Sequence, residues 1–143
     1  MSRAAARARF DAARHAYLAT ADAGGLPHLV PVTFALLGDA LVTAVDHKPK
    51  SGARLRRLRN ITANPLVSLL VDEYTEDWAR LWWARADGVA SVLTEPADRA
   101  GPVRALVERY PQYAGQPPAG PVIRVDVRRW SGWAYTAREG ERR

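Results

Sequence analysis

The chain contains no cysteine in its 143 residues. That absence removes disulfides, thiolate nucleophiles and zinc–thiolate sites together, and it fits a reducing, cytoplasmic setting. Long apolar runs are missing too: no stretch approaches the roughly 18 residues that a membrane-spanning helix needs. No GxSxG, HExxH, Walker A or GxGxxG motif occurs. His15, His28 and His47 show no metal-ligand spacing and read as surface or packing residues. The carboxylates Asp72, Glu73, Glu76 and Asp77 are dense but have no second cluster with which to build a metal site or a glycosidase pair. They read as an exposed loop, available to arginines of a partner subunit. With no self-sufficient catalytic constellation, any enzymatic chemistry has to come from a bound cofactor.

Acidic residues are the scarcer charge. Fifteen of them against 21 basic residues give a net charge of +6 and a pI near 10.3. Such a balance suits nucleic acid, an anionic membrane or an anionic small molecule, and charge alone does not choose. Its distribution helps, because the bases cluster at 48–59 and 124–129. Stacking tryptophans beside a basic groove would suit single strands, but no nucleic-acid-binding module signature is present. The Arg/Ala-rich start, Met1–Arg9, lacks the apolar core of a secretory signal. It shares the composition of a transit peptide; a short amphipathic helix carrying Phe10 is the simpler reading.

What is present is ordinary globular material: 48% hydrophobic and 25% charged residues. The length fits one domain, 1–143, able to bury about two-thirds of its unfolded surface. Neither repeats nor low-complexity linkers divide it. The pattern predicts a helix over Arg3–Arg14, a strand over Tyr17–Ala21, and a turn at Asp22–Gly25. A second strand is expected over Leu29–Leu36, where Pro31 argues for an edge or a bulge. Gly38-Asp39 has the Gly-X form of a two-residue hairpin turn and leads into the strand Leu41–Val45. A basic helix, Gly52–Ile61, follows, then strands at Val67–Val71 and Leu81–Leu93, the latter bending near Gly88. Pro102–Tyr110 has helical spacing, Gln112–Pro121 is a Pro/Gly-rich loop, and Val122–Trp130 is a half-buried strand. The sum is mainly β: about six strands in a small barrel with short helical caps.

The segment Leu41–Val71 carries the clearest candidate site. An apolar strand stops at Asp46, and Lys48, Pro49 and Lys50 lead to Ser51, a good N-cap for the basic helix. Such a corner can hold a phosphate between cationic side chains and the free N–H groups of a helix start. Arg54 and Arg57 share a helix face and complete the cradle. A solvated helix face is the alternative reading of these bases, and the strand-to-helix corner with its two lysines favours the cradle over it. Five tryptophans form the second feature: Trp78, Trp82, Trp83, Trp130 and Trp133. Trp82 and Trp83 are adjacent, so on a strand one faces in and the other out. An outward tryptophan needs a neighbouring subunit, a ligand ring or a stacked base. Core packing accounts for two or three of the five.

The order of these motifs resembles the flavin/deazaflavin oxidoreductase superfamily, the split β-barrels related to pyridoxamine-phosphate oxidase. The residues that carry the resemblance are Ala16–Asp22, Pro27–Phe34, Leu41–Asp46, Lys48-Pro49-Lys50, Leu55–Ile61 and Asn64–Val71. The run Tyr74–Trp78 with Leu81-Trp82-Trp83 is similar to a subgroup of probable deazaflavin (coenzyme F420)-dependent enzymes of actinobacteria. The resemblance implies a six-stranded split barrel and a homodimer with two cofactor sites at its interface. Val30, Pro31, Val32 and Thr33 would lie against the ring, their backbone at its polar edge. Val45 and Asp46, with Lys48 and Lys50, would reach the ribityl chain and phosphate, helped by Arg54 and Arg57. Trp78 or Trp82, with the Trp130–Trp133 rim, would come from the other subunit. The implied activity is hydride transfer between reduced coenzyme F420 and a small unsaturated or quinone-like acceptor. FMN-binding relatives share the geometry, so FMN is the second choice; a non-catalytic cofactor carrier is the other alternative. The surplus of cations favours the deazaflavin, whose phosphate and polyglutamate tail carry more negative charge than FMN.

Overall fold

Seven strands and three α-helices form among residues 1–45 and 55–135, the part of the chain that this computed structural model describes. The strands are β1 (Ala16–Ala21), β2 (Pro27–Val32), β3 (Ala35–Leu37), β4 (Ala40–Ala44), β5 (Leu66–Glu73), β6 (Trp82–Leu93) and β7 (Val122–Ala134). The helices are α1 (Arg3–Ala12), α2 (Arg56–Ala63) and α3 (Pro96–Arg109). Every strand pairing is antiparallel, in the order β2-β1-β5-β6-β7-β4-β3.

That order forces closure. β2 ends at Val32 and β3 begins at Ala35, yet they occupy opposite ends of the sheet. Laid flat, strands about 4.8 Å apart would separate those ends by about 29 Å. Three Cα steps reach about 11 Å at most. The sheet therefore curls until its two edges approach, and among the described residues no backbone ladder joins them. This is a split barrel, as the resemblance implied, with one strand more than expected. The extra strand arises because Leu29–Leu36 is not continuous: Thr33-Phe34 leaves one sheet edge and enters the other.

Burial follows this geometry. Phe10 of α1, fully buried, meets Phe34 at 5.8 Å and Trp130 at 5.4 Å between ring centroids, both edge-on. Leu18, Leu69, Ala84, Ala86, Ile123 and Val125 belong to the same core. A smaller core, Ala35, Val42, Leu106, Tyr110 and Val122, lies between α3 and the β3–β4 hairpin. β4 is thus covered on both faces, which explains why Leu41–Val45 lacks the apolar–polar alternation of a half-exposed strand and why even Thr43 is buried. Trp130 is core, not rim: β7 runs on to Ala134, four residues past it.

Local chemistry sets the corners. Gly38 takes φ 63° at the first position of the β3–β4 turn, as the Gly-Asp pair predicted. The expected bend at Gly88 is a register shift between Asp87 and Gly88, where a Cβ would collide with the Asp126 carbonyl. The basic helix departs from expectation. Leu55 is extended (φ −66°, ψ 147°) and caps α2, which runs from Arg56 to Ala63; Ser51 and Gly52, the expected start, lie outside the described residues. The helix ends at Ala63 because Asn64 precedes a proline and is held extended.

Candidate functional site

The split between the two sheet edges opens a cleft of about 270 Å³. Pro31, Val32 and Thr33 supply one wall from the end of β2, and Ala44 and Val45 supply another from the end of β4. Arg57 of α2 enters from one side; Tyr113 and Pro118, from the connection between α3 and β7, close the other. β2 is an edge strand, and it carries Pro27 and Pro31, which cannot donate to a further ladder. Its outer row of backbone groups is therefore left for something other than a strand.

Five of the residues singled out from the sequence meet here: Pro31, Val32, Thr33, Val45 and Arg57. Val30 lies beside them in β2, but its side chain packs against the main core. Asp46, Lys48, Lys50 and Arg54 lie outside the described residues. Trp78 and Trp82 do not line the cleft of their own chain. Trp78 sits in a 3-10 turn between β5 and β6, 62% exposed, donating to the Tyr74 hydroxyl at 3.3 Å. Trp82 is half-buried, its Nε1 donating to Glu73 at 3.1 Å while the Arg9 guanidinium lies 4.3 Å above its ring.

Tyr113 and Pro118 escaped the sequence reading, which took their segment for a plain loop. The available signal was Tyr110-Pro111-Gln112-Tyr113, two tyrosines around a proline just after a helix. The Tyr113 hydroxyl lies 2.9 Å from Thr33 Oγ1. Tyr110 holds the base of this wall: its hydroxyl receives the Phe34 N–H at 3.2 Å and donates to the Arg14 carbonyl at 2.9 Å.

Electrostatics around α2 are cationic on more than one side. Arg56 and Arg59 border a neighbouring open cleft of about 490 Å³ against the Asp22–Leu26 turn. That turn is fixed by Asp22 Oδ1, which accepts from the N–H groups of Gly24 and Leu26, both at 2.9 Å. Asn60, on the inner side of α2, donates to Thr20 Oγ1 at 3.0 Å and anchors the helix to β1. His28 shares the half-buried face of β2 with Val30. Burial, reinforced by Arg56 and Arg57, holds its imidazole below the usual histidine pKa. The arrangement can bind an anion beside Arg57 and seat a flat apolar group between Val32 and Val45. Among the described residues no cluster of His, Asp and Glu could hold a metal ion, and no helix is long and apolar enough to cross a membrane.

Comparison with known proteins agrees with the fold. The family model described as pyridoxamine 5'-phosphate oxidase matches residues 2–134. No curated protein matches. Among solved structures, a conserved hypothetical protein of Mycobacterium tuberculosis superposes with a TM-score of 0.73 at 21% identity, covering 99% of this chain and 94% of that one. An FAD-binding protein of Mesorhizobium loti gives 0.73 at 20% identity, with 92% and 94% covered. The heme storage protein HutZ of Vibrio cholerae gives 0.69 at 20% identity, with 94% and 95% covered. At these identities the likeness is one of fold.

Proposed function

The chain belongs to the pyridoxamine 5'-phosphate oxidase family, and from that premise we propose that it is a homodimeric oxidoreductase using the deazaflavin coenzyme F420. The acceptor is a small unsaturated or quinone-like molecule. One observation carries the reading: the split in the barrel brings Pro31, Val32, Thr33 and Val45 beside the cation of Arg57. Those residues fit a ring cofactor with a phosphate. Val32 and Val45 would pack the ring, the backbone of Pro31 to Thr33 would meet its polar edge, and Arg57 would pair with the phosphate. When bound, such a ring supplies two-electron hydride chemistry. The protein's part is to hold the ring, leave one face open and neutralise the tail. An FAD-binding protein of the same fold supports a flavin-type ring. The further cations Arg56 and Arg59 next to the cleft support the more anionic deazaflavin over FMN.

The outer face of the sheet supports the dimer. Tyr17, Leu29 and Leu66 stand 37%, 66% and 67% exposed on the adjoining strands β1, β2 and β5. Ala19, Ala21, Pro27, Leu66 and Val89 line an open apolar groove of about 550 Å³ on that side. A second copy covers it in this reading and brings its Trp78 toward the cofactor. Light scattering on the purified protein should give twice the 15.8 kDa chain mass, and Leu66→Glu should give monomers. A monomeric parent would remove the shared site.

Parallel titrations with coenzyme F420 and FMN test the cofactor. Micromolar binding of the deazaflavin, tighter than FMN, is expected; binding of neither would end this reading. The fold shared with a heme storage protein supports a second reading, a non-catalytic cofactor carrier. It predicts tight cofactor binding without turnover across a panel of quinones and enones.

A further inference from the structure

Thr33 and Tyr113 border two clefts. Beyond the one that holds Val45 and Arg57, they help line a second, of about 380 Å³, completed by Arg14, Tyr110 and Gln112. The wall between the two is the Thr33–Tyr113 hydroxyl pair, 2.9 Å apart. A hydroxyl offers one donor and two acceptor positions, so this bond leaves hydrogen-bonding capacity on both groups.

The second cleft has a preorganised floor. Tyr110 is 6% exposed, and its ring meets that of Tyr113 edge-on at 5.9 Å. The Arg14 guanidinium lies 4.9 Å above the Tyr110 ring, and its Nη2 donates to the Arg109 carbonyl at 3.1 Å. One of five N–H donors is used in that bond, and the stack fixes the plane of the remainder. Arg109 in turn donates to the Phe10 carbonyl at 3.3 Å and to that of Ala13, tying α1 to α3 around the cleft. An exposed guanidinium held by one hydrogen bond and a ring contact, a side-chain amide, two aromatic rings and a pair of hydroxyls thus line a volume suited to a small ligand.

We propose that this second cleft is the acceptor subsite, and that it takes a flat conjugated molecule bearing a carboxylate. Arg14 and the Gln112 amide bind the carboxylate, since a planar fork of donors matches two carboxylate oxygens. The tyrosine rings pack the conjugated body. The Thr33–Tyr113 pair receives a carbonyl oxygen at the wall shared with the cofactor cleft. Calling the ligand an acceptor rests on the preceding functional reading; the binding of a flat carboxylate does not.

The experiment uses the full chain, ¹⁵N-labelled, titrated with 2-naphthoate and with its neutral analogue 2-naphthamide. Shifts should concentrate at the Gln112 side-chain amide and at Tyr113, and naphthoate should bind about tenfold more tightly than the amide, the worth of one charged hydrogen bond. Gln112→Glu, at an exposed position, should abolish that preference without affecting folding. Arg14→Gln should weaken naphthoate by about tenfold or more. Naphthoate should also remain bound when FMN or the deazaflavin is added. Equal affinity for the two probes, no binding, shifts elsewhere, or displacement by the cofactor would overturn the subsite. If naphthoate binds here while neither cofactor binds, the subsite stands and the cofactor reading falls. If the cofactor binds and naphthoate does not, only the subsite falls.

Discussion

The two edges of the sheet are three Cα steps apart in the chain and have opposite fates. At the β3 edge, α3 packs over the hairpin and the core beneath it contains Ala35, Val42 and Leu106. At the β2 edge, two prolines stand where a further strand would need donors, and the cleft opens beside them. The link between the edges repeats the contrast at single-residue scale. Phe34 is fully buried against Phe10, whereas Thr33 is half-buried and faces both clefts. Closure of the barrel and formation of the site are therefore separate jobs given to neighbouring residues.

Replacing Phe34 with alanine tests the closed side most severely. The ring loses its contacts with Phe10 and with the Arg109 guanidinium, 4.9 Å from its centroid. A destabilisation of about 3–5 kcal/mol is expected, as for buried Phe→Ala changes generally, measured by urea unfolding. The neighbouring Thr33→Val should change stability far less, because Thr33 is half-buried and its side chain makes one hydrogen bond among the described residues, to Tyr113. If the two variants destabilise equally, the division of labour within the link is wrong.

Arg57→Glu addresses the open side. Losing one charged hydrogen bond to a phosphate costs about 1.5–3 kcal/mol, roughly ten- to a hundredfold in Kd, and the introduced carboxylate adds repulsion. Urea unfolding of the variant separates any change in stability from the change in affinity. Unchanged affinity for FMN and the deazaflavin would place the phosphate elsewhere.

How much of this was readable in advance follows the same division. Phe10, the Leu41–Val45 run, the Gly38-Asp39 turn and the Gly88 irregularity were legible because each depends on local pattern or on a glycine's tolerance of unusual backbone. The break at Thr33-Phe34 was not. It follows from where β2 and β3 lie in the closed sheet, and no periodicity within eight residues records that. Pro31 to Thr33 and Val45 were named from the resemblance to split barrels, whereas Arg57 was legible from its place on a basic helix face, and the structure gathers those five. Tyr113 was missed because its role depends on Thr33, 80 positions away. Trp130 was misplaced at a rim because the last strand is longer than its alternating part, so its end was set too early.

The smallest effect concerns His28, on the inner face of the open edge strand. Its Nδ1 is buried, and burial, then Arg56 and Arg57, disfavour the imidazolium. A histidine whose folded pKa lies below the unfolded value of about 6.5 takes up its proton first in the unfolded chain. Its contribution is thus fully favourable above pH 6.5 and is lost as the pH falls through that value toward the lower folded pKa. Urea midpoints should decline between pH 7.5 and 5.5, and His28→Gln should flatten part of that slope. No comparable device is expected on the closed edge, where α3 packs an apolar surface. A phosphate-bearing ligand bound at Arg57 would offset some of the arginine charge felt by the imidazole. In saturating FMN or deazaflavin the His28-dependent slope should therefore shrink. A slope identical in the parent and in His28→Gln, with and without ligand, would uncouple this histidine from the cationic face of α2.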